Sequence, residues 1–406
     1  MTKTESSKLD FWSHLATELE FLQRSGLARH VALSRHTAPT IVERLGKSLI
    51  DFGSNDYLSL SWHPEVVQAY CGGLARGRVG SGSSPVVAGA DASYHDLVTA
   101  LCDWKQAEAT TVFSSGYACN TGTIRALVGR EDIVFSDALN HACLIDGCQL
   151  ARCRVIVYPH CDMEALEQLV RKHRSQHRHA FVVTDTVFSM DGDLAPVADI
   201  DAICKRYDAM SIADEAHAGG VLGPEGRGLL HQYDLVSSGS TGVDRWIATG
   251  TLSKAVGCIG GFVTGSKTLN DWLTHHARSW IYSTALPSAT LAAAATAIQL
   301  LRSMDTQRNR LRELSLSVRQ RLQEMGLSTR LDPTPIIPIY VRDNARVLSV
   351  SQHLLSRGLY VPAIRYPTVP RDSAMLRISL NVAHTEENID LLLESLRSTL
   401  VDSPIY

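Results

Sequence analysis

Ala209-Met-Ser-Ile-Ala213 runs directly into Asp214-Glu215-Ala216-His217. A short apolar stretch ends in a carboxylate, and a histidine follows three residues later. Taken alone, this pattern reads equally as a buried strand with a capping acid and a packed imidazole, or as a carboxylate set to pair with a cationic ring nitrogen. Outward in both directions the same texture repeats. Apolar runs at Ala109–Phe113, Asp132–Ser136, Arg154–Val157, Ala180–Thr184 and Arg245–Gly250 alternate with helical stretches at Tyr94–Lys105, Tyr117–Leu127, Asp162–His173 and Ile200–Tyr207. Strands alternating with helices predict a parallel sheet covered on both faces. In such sheets ligands bind beyond the carboxyl ends of the strands, which is where Asp214 falls.

Two further sequences follow predicted strands. Thr249-Gly-Thr251-Leu-Ser253-Lys254 sets one lysine beside Ala255, Val256 and Gly257, a poor setting for a solvated charge. Burial lowers a lysine pKa and frees the amine for imine chemistry; a surface lysine is the plainer alternative. Phe113-Ser114-Ser115-Gly116-Tyr117 is a strand-to-helix turn. Its free amides, hydroxyls and glycine make an anion cradle, and simple capping by serine explains the same residues equally well. Together the three segments describe a phosphate seat, a carboxylate for a pyridinium and a buried amine, the requirements of pyridoxal 5′-phosphate (PLP).

Several motifs lead nowhere. Gly260-x4-Gly265-Ser-Lys267-Thr268 has one residue too many between glycine and lysine for a phosphate-binding P-loop. No Gly-x-Ser-x-Gly elbow is present. His173, His177 and His179 lie in an Arg-rich stretch with no Cys or carboxylate nearby, and read as a solvated helix end rather than a metal site. The nine cysteines contain no Cys-x-x-Cys pair, and Cys143, Cys148 and Cys153 recur at a spacing that suits neither zinc nor redox work. A reducing cytoplasm is the expectation.

The 406 residues are 45% apolar and 20% charged, enough for a large core. With 39 basic and 42 acidic residues the net charge is −3, which gives no electrostatic case for nucleic acid or an anionic membrane. No signal core opens the chain, and no apolar run approaches the ~20 residues of a membrane span. Phe11, Leu15, Leu19 and Leu22, with Gly26 as a stop, predict an N-terminal helix. After Pro287 long helices and separated strands (Ile336–Val341, Leu376–Leu380) predict a smaller unit. The expected division is an N-terminal helical segment over 1–50, a large domain over 51–289 and a small α+β domain over 290–406.

The motifs in combination resemble the α-oxoamine synthases, a family within the fold-type I PLP enzymes. They are Ser54-Asn-Asp-Tyr-Leu58, Gly80-Ser-Gly82, Ser114-Ser-Gly-Tyr117, Asn140-His-Ala142, Val187-Phe-Ser-Met-Asp-Gly-Asp193, Asp214-Glu-Ala-His217, Gly250-Thr-Leu-Ser-Lys254 and Ile281-Tyr-Ser-Thr284. The resemblance spans about residues 10 to 400. It implies an aspartate aminotransferase-like α/β fold: a mostly parallel central sheet with helices on both faces and a smaller C-terminal α+β domain. It implies decarboxylative condensation of a small amino acid with an acyl-CoA or acyl-carrier-protein thioester, in a homodimer with shared sites. Lys254 is then the imine-forming lysine and Asp214 the partner of the pyridine nitrogen. His141 stacks on the ring, and His217 and Ser189 contact its hydroxyl. Ser115, Gly116, Tyr117 and Thr251 hold the phosphate, with Thr284 from the second subunit. Arg377 takes the amino-acid carboxylate, and Arg29 assists. Ala363-Ile-Arg365-Tyr-Pro-Thr-Val-Pro370 points to members using L-alanine and a pimeloyl thioester, with Arg365 on the substrate. The chain departs from the family pattern at Pro85, Asp185, Asp372 and Met375. The alternatives are another family member (a glycine C-acetyltransferase, a 5-aminolevulinate synthase or a long-chain signal-molecule synthase), a non-catalytic scaffold of the same fold, which Lys254, Asp214 and His141 argue against, and a P-loop module.

Overall fold

The computed structural model describes residues 10–29, 31–236 and 245–402. Its centre is a seven-stranded sheet: β1 (Ala109–Phe113), β2 (Ile133–Asp137), β3 (Arg154–Tyr158), β4 (Ala180–Asp185), β5 (Met210–Asp214), β6 (Trp246–Thr251) and β7 (Gly261–Gly265). The order across the sheet is β1-β7-β6-β5-β4-β2-β3. Strands β2 to β6 are parallel to one another, whereas β7 runs antiparallel to both β1 and β6. The sheet is therefore mixed. The short sequence Gly261-Phe-Val-Thr-Gly265 gave no strand expectation, because glycine at both ends reads as punctuation. It forms a strand because its neighbours supply ladder partners on both edges.

Side chains alternate between two apolar layers, as the pleat requires. Phe181, Val183 and Ile212 pack with Cys119, Ile124, Leu144 and Leu273 on one face. Ala180, Val182 and Ala213 pack with Leu97, Trp104, Leu166 and Ile200 on the other. Both faces of the central strands are thus dry, which is why they read as continuous apolar runs.

The helix expected near the N-terminus spans Phe11–Arg24, held by the Asp10 side chain accepting from the Trp12 and Ser13 amides. Beyond it, the segment expected as helical over 1–50 forms strands instead. Ser34–Ala38, Ile41–Arg44 and Lys47–Asp51 form an antiparallel meander, and Lys47–Asp51 pairs in parallel with Leu359–Tyr360. Alternation over strands this short is weak, and the partner strand lies three hundred residues away. Ile336–Arg342, Ala374–Ser379 and Ala363–Ile364 form a second antiparallel sheet near the C-terminus. A capping box between Thr385 and Asn388 starts the helix Glu386–Arg397. Among the described residues no helix is long and apolar enough to cross a membrane.

One buried ion pair stands behind the strand ends. Lys105 Nζ donates to Glu215 Oε2 at 3.1 Å and to the Arg227 carbonyl, and the Leu230 amide donates to Glu215 Oε1 at 3.0 Å. Both side chains are almost fully buried. Lys105→Met leaves the Glu215 carboxylate without its cation, and a loss of roughly 3–5 kcal/mol of folding stability is expected in denaturant titration.

Candidate active site

The parallel strands deliver their last residues to one edge. Asp185 at the end of β4 lies in register with Asp214 at the end of β5, and Asp214 with Thr249 on β6. Asp214 is buried. Its Oδ2 accepts from Asn120 Nδ2 at 2.7 Å, and its Oδ1 from the Ala216 amide at 2.8 Å. Thr249 Oγ1 in turn donates to Asn120 Oδ1 at 2.6 Å. The carboxylate is therefore locked in one orientation from two elements.

β1 ends in the turn foreseen as an anion cradle. Ser115 caps the helix Gly116–Leu127, its hydroxyl accepting from the Ala118 amide at 3.1 Å. The amides of Gly116 and Tyr117 are left unbonded within the helix, as at any helix start. A methyl group on Gly116 would meet Thr251 Cβ and Oγ1 at 3.2 Å, so glycine keeps the space between turn and strand open. Thr251 sits at the end of β6 and donates to the Gly260 carbonyl at 3.0 Å. The Tyr117 ring is turned away, with its hydroxyl on Asp146. Thr284 lies near Ser114 in this chain, lining a small pocket with Pro85 and Ser283.

Lys254 follows β6 on a turn. Burial pushes its ammonium below the usual lysine range, while the charges of Asp214 and Asp185 act in the opposite direction. Burial drives Asp185 well above the usual carboxylate range, and the neighbouring Asp214 adds to this. Asp185 Oδ2 accepts from the His141 amide at 2.8 Å. His141 caps the helix Ala142–Ala151, its Nδ1 2.8 Å from Cys143 Sγ, and desolvation of the ring with the nearby Lys254 charge lowers its pKa against the opposing charge of Asp214. His217 is buried, and burial followed by the charges of Lys254, Arg377 and His141 drives its pKa far down, so the ring is neutral. Its Nδ1 lies 2.6 Å from the Tyr57 hydroxyl, whose other partner, Asn55 Oδ1, is 3.2 Å away.

Arg377 is buried on Ala374–Ser379. It donates through Nε to the Ser189 carbonyl at 2.6 Å, and through Nη1 to Ser379 Oγ at 2.7 Å and Asn55 Oδ1 at 3.2 Å. No carboxylate appears among these contacts, which leaves its charge for a ligand. Arg29 and Arg365 do not join this cluster. With Arg44 they line a surface groove bounded by Tyr366, Pro367 and Thr368, where Arg365 donates to the Ala28 carbonyl at 3.2 Å. On the other side of that segment an apolar cavity of about 500 Å³ runs past Asn140, Phe188, Met190, Val369 and Met375.

The structure thus draws Asp214, Lys254, His141, His217, Thr251 and the 115–117 turn to one edge of the sheet, with Arg377 and Ser189 beside them. Sequence reasoning missed Asn120, Asn55, Tyr57 and the role of Asp185. Asn55 and Tyr57 lie inside the Ser54–Leu58 motif and Asn120 three residues past Ser114–Tyr117, but their partners are remote in sequence. The donor set fits PLP: an amine of lowered pKa, a fixed buried carboxylate and a helix-terminal cradle.

Residues 47–396 match the model of the aminotransferase class I and II family. The chain belongs to that family. It is 44% identical over 355 residues to 8-amino-7-oxononanoate synthase 1 of Polaromonas sp., covering 86% of this chain and 87% of the relative. Its fold matches serine palmitoyltransferase of Sphingomonas wittichii with a TM-score of 0.89 at 30% identity, over 97% of this chain and 98% of that one. An SPT solved with PLP matches at a TM-score of 0.88 and 29% identity, over 95% and 96% of the two chains. Within the family, these likenesses agree on the α-oxoamine synthase branch.

Proposed function

We propose that the protein is an 8-amino-7-oxononanoate synthase, a PLP-dependent acyltransferase that joins L-alanine to a pimeloyl thioester on the way to biotin. The amino acid loses its α-proton, a C–C bond forms to the acyl carbon, and the C–S bond breaks to release the thiol. Loss of CO2 and return of a proton complete the α-amino ketone. The observation that carries this reading is the pairing of the low-pKa Lys254 amine with the fixed Asp214 carboxylate at adjacent strand ends.

PLP, when bound, supplies an electron-poor ring that accepts the electron pair left on the α-carbon. Asp214 would face the ring nitrogen and keep it protonated. The 115–117 amides and Thr251 would hold the phosphate. Lys254 Nζ, its pKa lowered by burial, would take the α-proton and return it after CO2 leaves. His217 and His141 are placed to hydrogen-bond oxygen atoms that gain charge, where such groups are worth a few kcal/mol. Arg377 binds the amino-acid carboxylate. Arg29 and Arg365 meet an anionic part of the thioester, while the apolar cavity beyond Tyr366–Thr368 excludes water from the chain.

We further read the enzyme as a homodimer in which Thr284 serves the second copy's site. Val86, Val87, Ile259 and Tyr282 are exposed in segments next to the cradle, which supports burial there by another subunit.

The test is thiol release with small amino acids and acyl thioesters arrayed in pairs. L-Alanine with pimeloyl-CoA should give the highest kcat/KM, and release with glycine and acetyl-CoA alone would overturn the assignment. Arg377→Lys keeps the charge but loses the planar fork, so KM for alanine should rise by roughly tenfold or more with a smaller change in kcat. Steady-state kinetics at saturating thioester measures this.

A further inference from the structure

A second cluster of charged groups lies outside the site just described. His160 sits between two buried carboxylates, its Nδ1 2.8 Å from Asp137 Oδ1 and its Nε2 2.8 Å from Asp193 Oδ2. Asp137 ends β2 and opens the turn to His141. Its Oδ1 also accepts from the Leu139 amide at 2.8 Å, and its Oδ2 from the Cys161 amide at 2.9 Å. Asp193 closes the loop from Val187. Its carbonyl accepts from the Phe188 amide at 3.0 Å, and the Phe188 ring lies edge-on to His160 at 4.4 Å. That loop carries the Ser189 carbonyl to which Arg377 is tied.

We propose that His160 is a positioning residue, an imidazolium clamp that holds the Asp137–His141 turn against the Val187–Asp193 loop and thereby fixes where Arg377 stands relative to His141. Two buried carboxylates facing one ring require a cation between them. Burial by itself would lower the His160 pKa, but the hydrogen bonds to Asp137 and Asp193 outweigh it and push it up to about 12. Among the described residues Arg330 Nη1 is the other cation close to Asp193, at 3.6 Å. Among the described residues Asp193 Oδ1 has no hydrogen-bond partner, so this carboxylate depends on His160. Asp137, His160 and Cys161 also offer ligand atoms near one another. Both ring nitrogens already face carboxylate oxygens at hydrogen-bond distance, however, and the Cys161 sulfur is equidistant from them at 3.7 Å, over the ring rather than at a lone pair. The geometry is that of an ion triad, not of a coordination shell.

The proposal rests on the reading that Arg377 takes the amino-acid carboxylate. The test uses holoenzyme: the wild type, His160→Ala, Asp193→Asn and the double variant. Alanine binding is followed by cofactor absorbance, and cofactor release is measured separately. The alanine dissociation constant should rise by roughly tenfold or more in each single variant, because a small displacement of a positioning group has large effects. The double variant should add little to His160→Ala, and cofactor affinity should stay within about twofold in all of them. If His160→Ala does not fold, Asp193→Asn carries the test. Unchanged alanine binding in the folded variants overturns the proposal. So does a parallel loss of cofactor and alanine, which marks general loosening. Loss of alanine binding by wild type on chelation, with recovery on adding zinc, also overturns it. A wild type blind to every small amino acid overturns the reading of Arg377 as well, whereas a wild type that binds alanine and a His160→Ala variant that binds it equally well overturns the clamp alone.

Discussion

Lys254→Ala should lose at least ~10⁴-fold in kcat, the upper range for removing a positioned proton-transfer group. Binding of the cofactor should survive in weakened form, since Asp214, Thr251 and the helix-terminal amides do not depend on the lysine. The loss is large because the surroundings make this amine unlike a surface one: burial holds it below the usual lysine range and so favours the free base that takes a proton. Small exogenous amines should restore part of the rate, because the cavity left by the side chain sits where the proton moves. Stopped-time thiol release with and without added methylamine measures both effects. Normal turnover by the alanine variant would remove Lys254 from the chemistry.

Asp214→Asn is the second large effect, a fall of roughly 10²–10³-fold in kcat. The substitution keeps the shape but removes the charge that keeps a pyridinium protonated. It also disturbs the neighbourhood. Asn120 would present its amide protons to an amide that can be turned either way, where now a carboxylate accepts at 2.7 Å. Asp214→Glu retains charge but displaces it by a methylene, and should recover only part of the activity. The absorbance of bound cofactor across pH provides a second measurement. It should shift in Asp214→Asn and stay put in a distant control such as Lys267→Ala. An Asp214→Asn enzyme with wild-type kcat would break the assigned pairing.

Much of this arrangement was legible in the chain because strands buried on both faces cannot hide. β1 to β6 appear as apolar runs with boundaries within a residue or two of those found, and residues past their ends are where a parallel sheet exposes its ligand edge. Lys254 and Asp214 stood out as charges placed next to such runs. β7 was illegible because five residues flanked by glycine resemble a turn, and only antiparallel partners on both sides make it a strand. The meander over 34–51 was illegible for a similar reason. Asn120 and Tyr57 escaped notice because their importance is relational. Asn120 matters through Asp214, ninety-four positions on, and Tyr57 through His217, one hundred and sixty positions on. The separation of Arg29 and Arg365 from Arg377 likewise depends on how the 363–368 segment is threaded, which no local pattern encodes.

The pairing of Ile50 with Leu359 has a bearing on biosynthesis. A ribosome that has released the first meander must still make more than three hundred residues before the strand that completes that sheet emerges. At ordinary elongation rates of about 5–20 residues per second, that is a delay of some ~15–60 s. Through that interval the edge of Lys47–Asp51 is bare, and Phe52, whose amide later bonds to the Tyr360 carbonyl, has no seat. The newborn chain therefore spends its longest vulnerable period waiting for its own last eighth, and a truncation that removes that eighth should strand the beginning of the protein as well as its end.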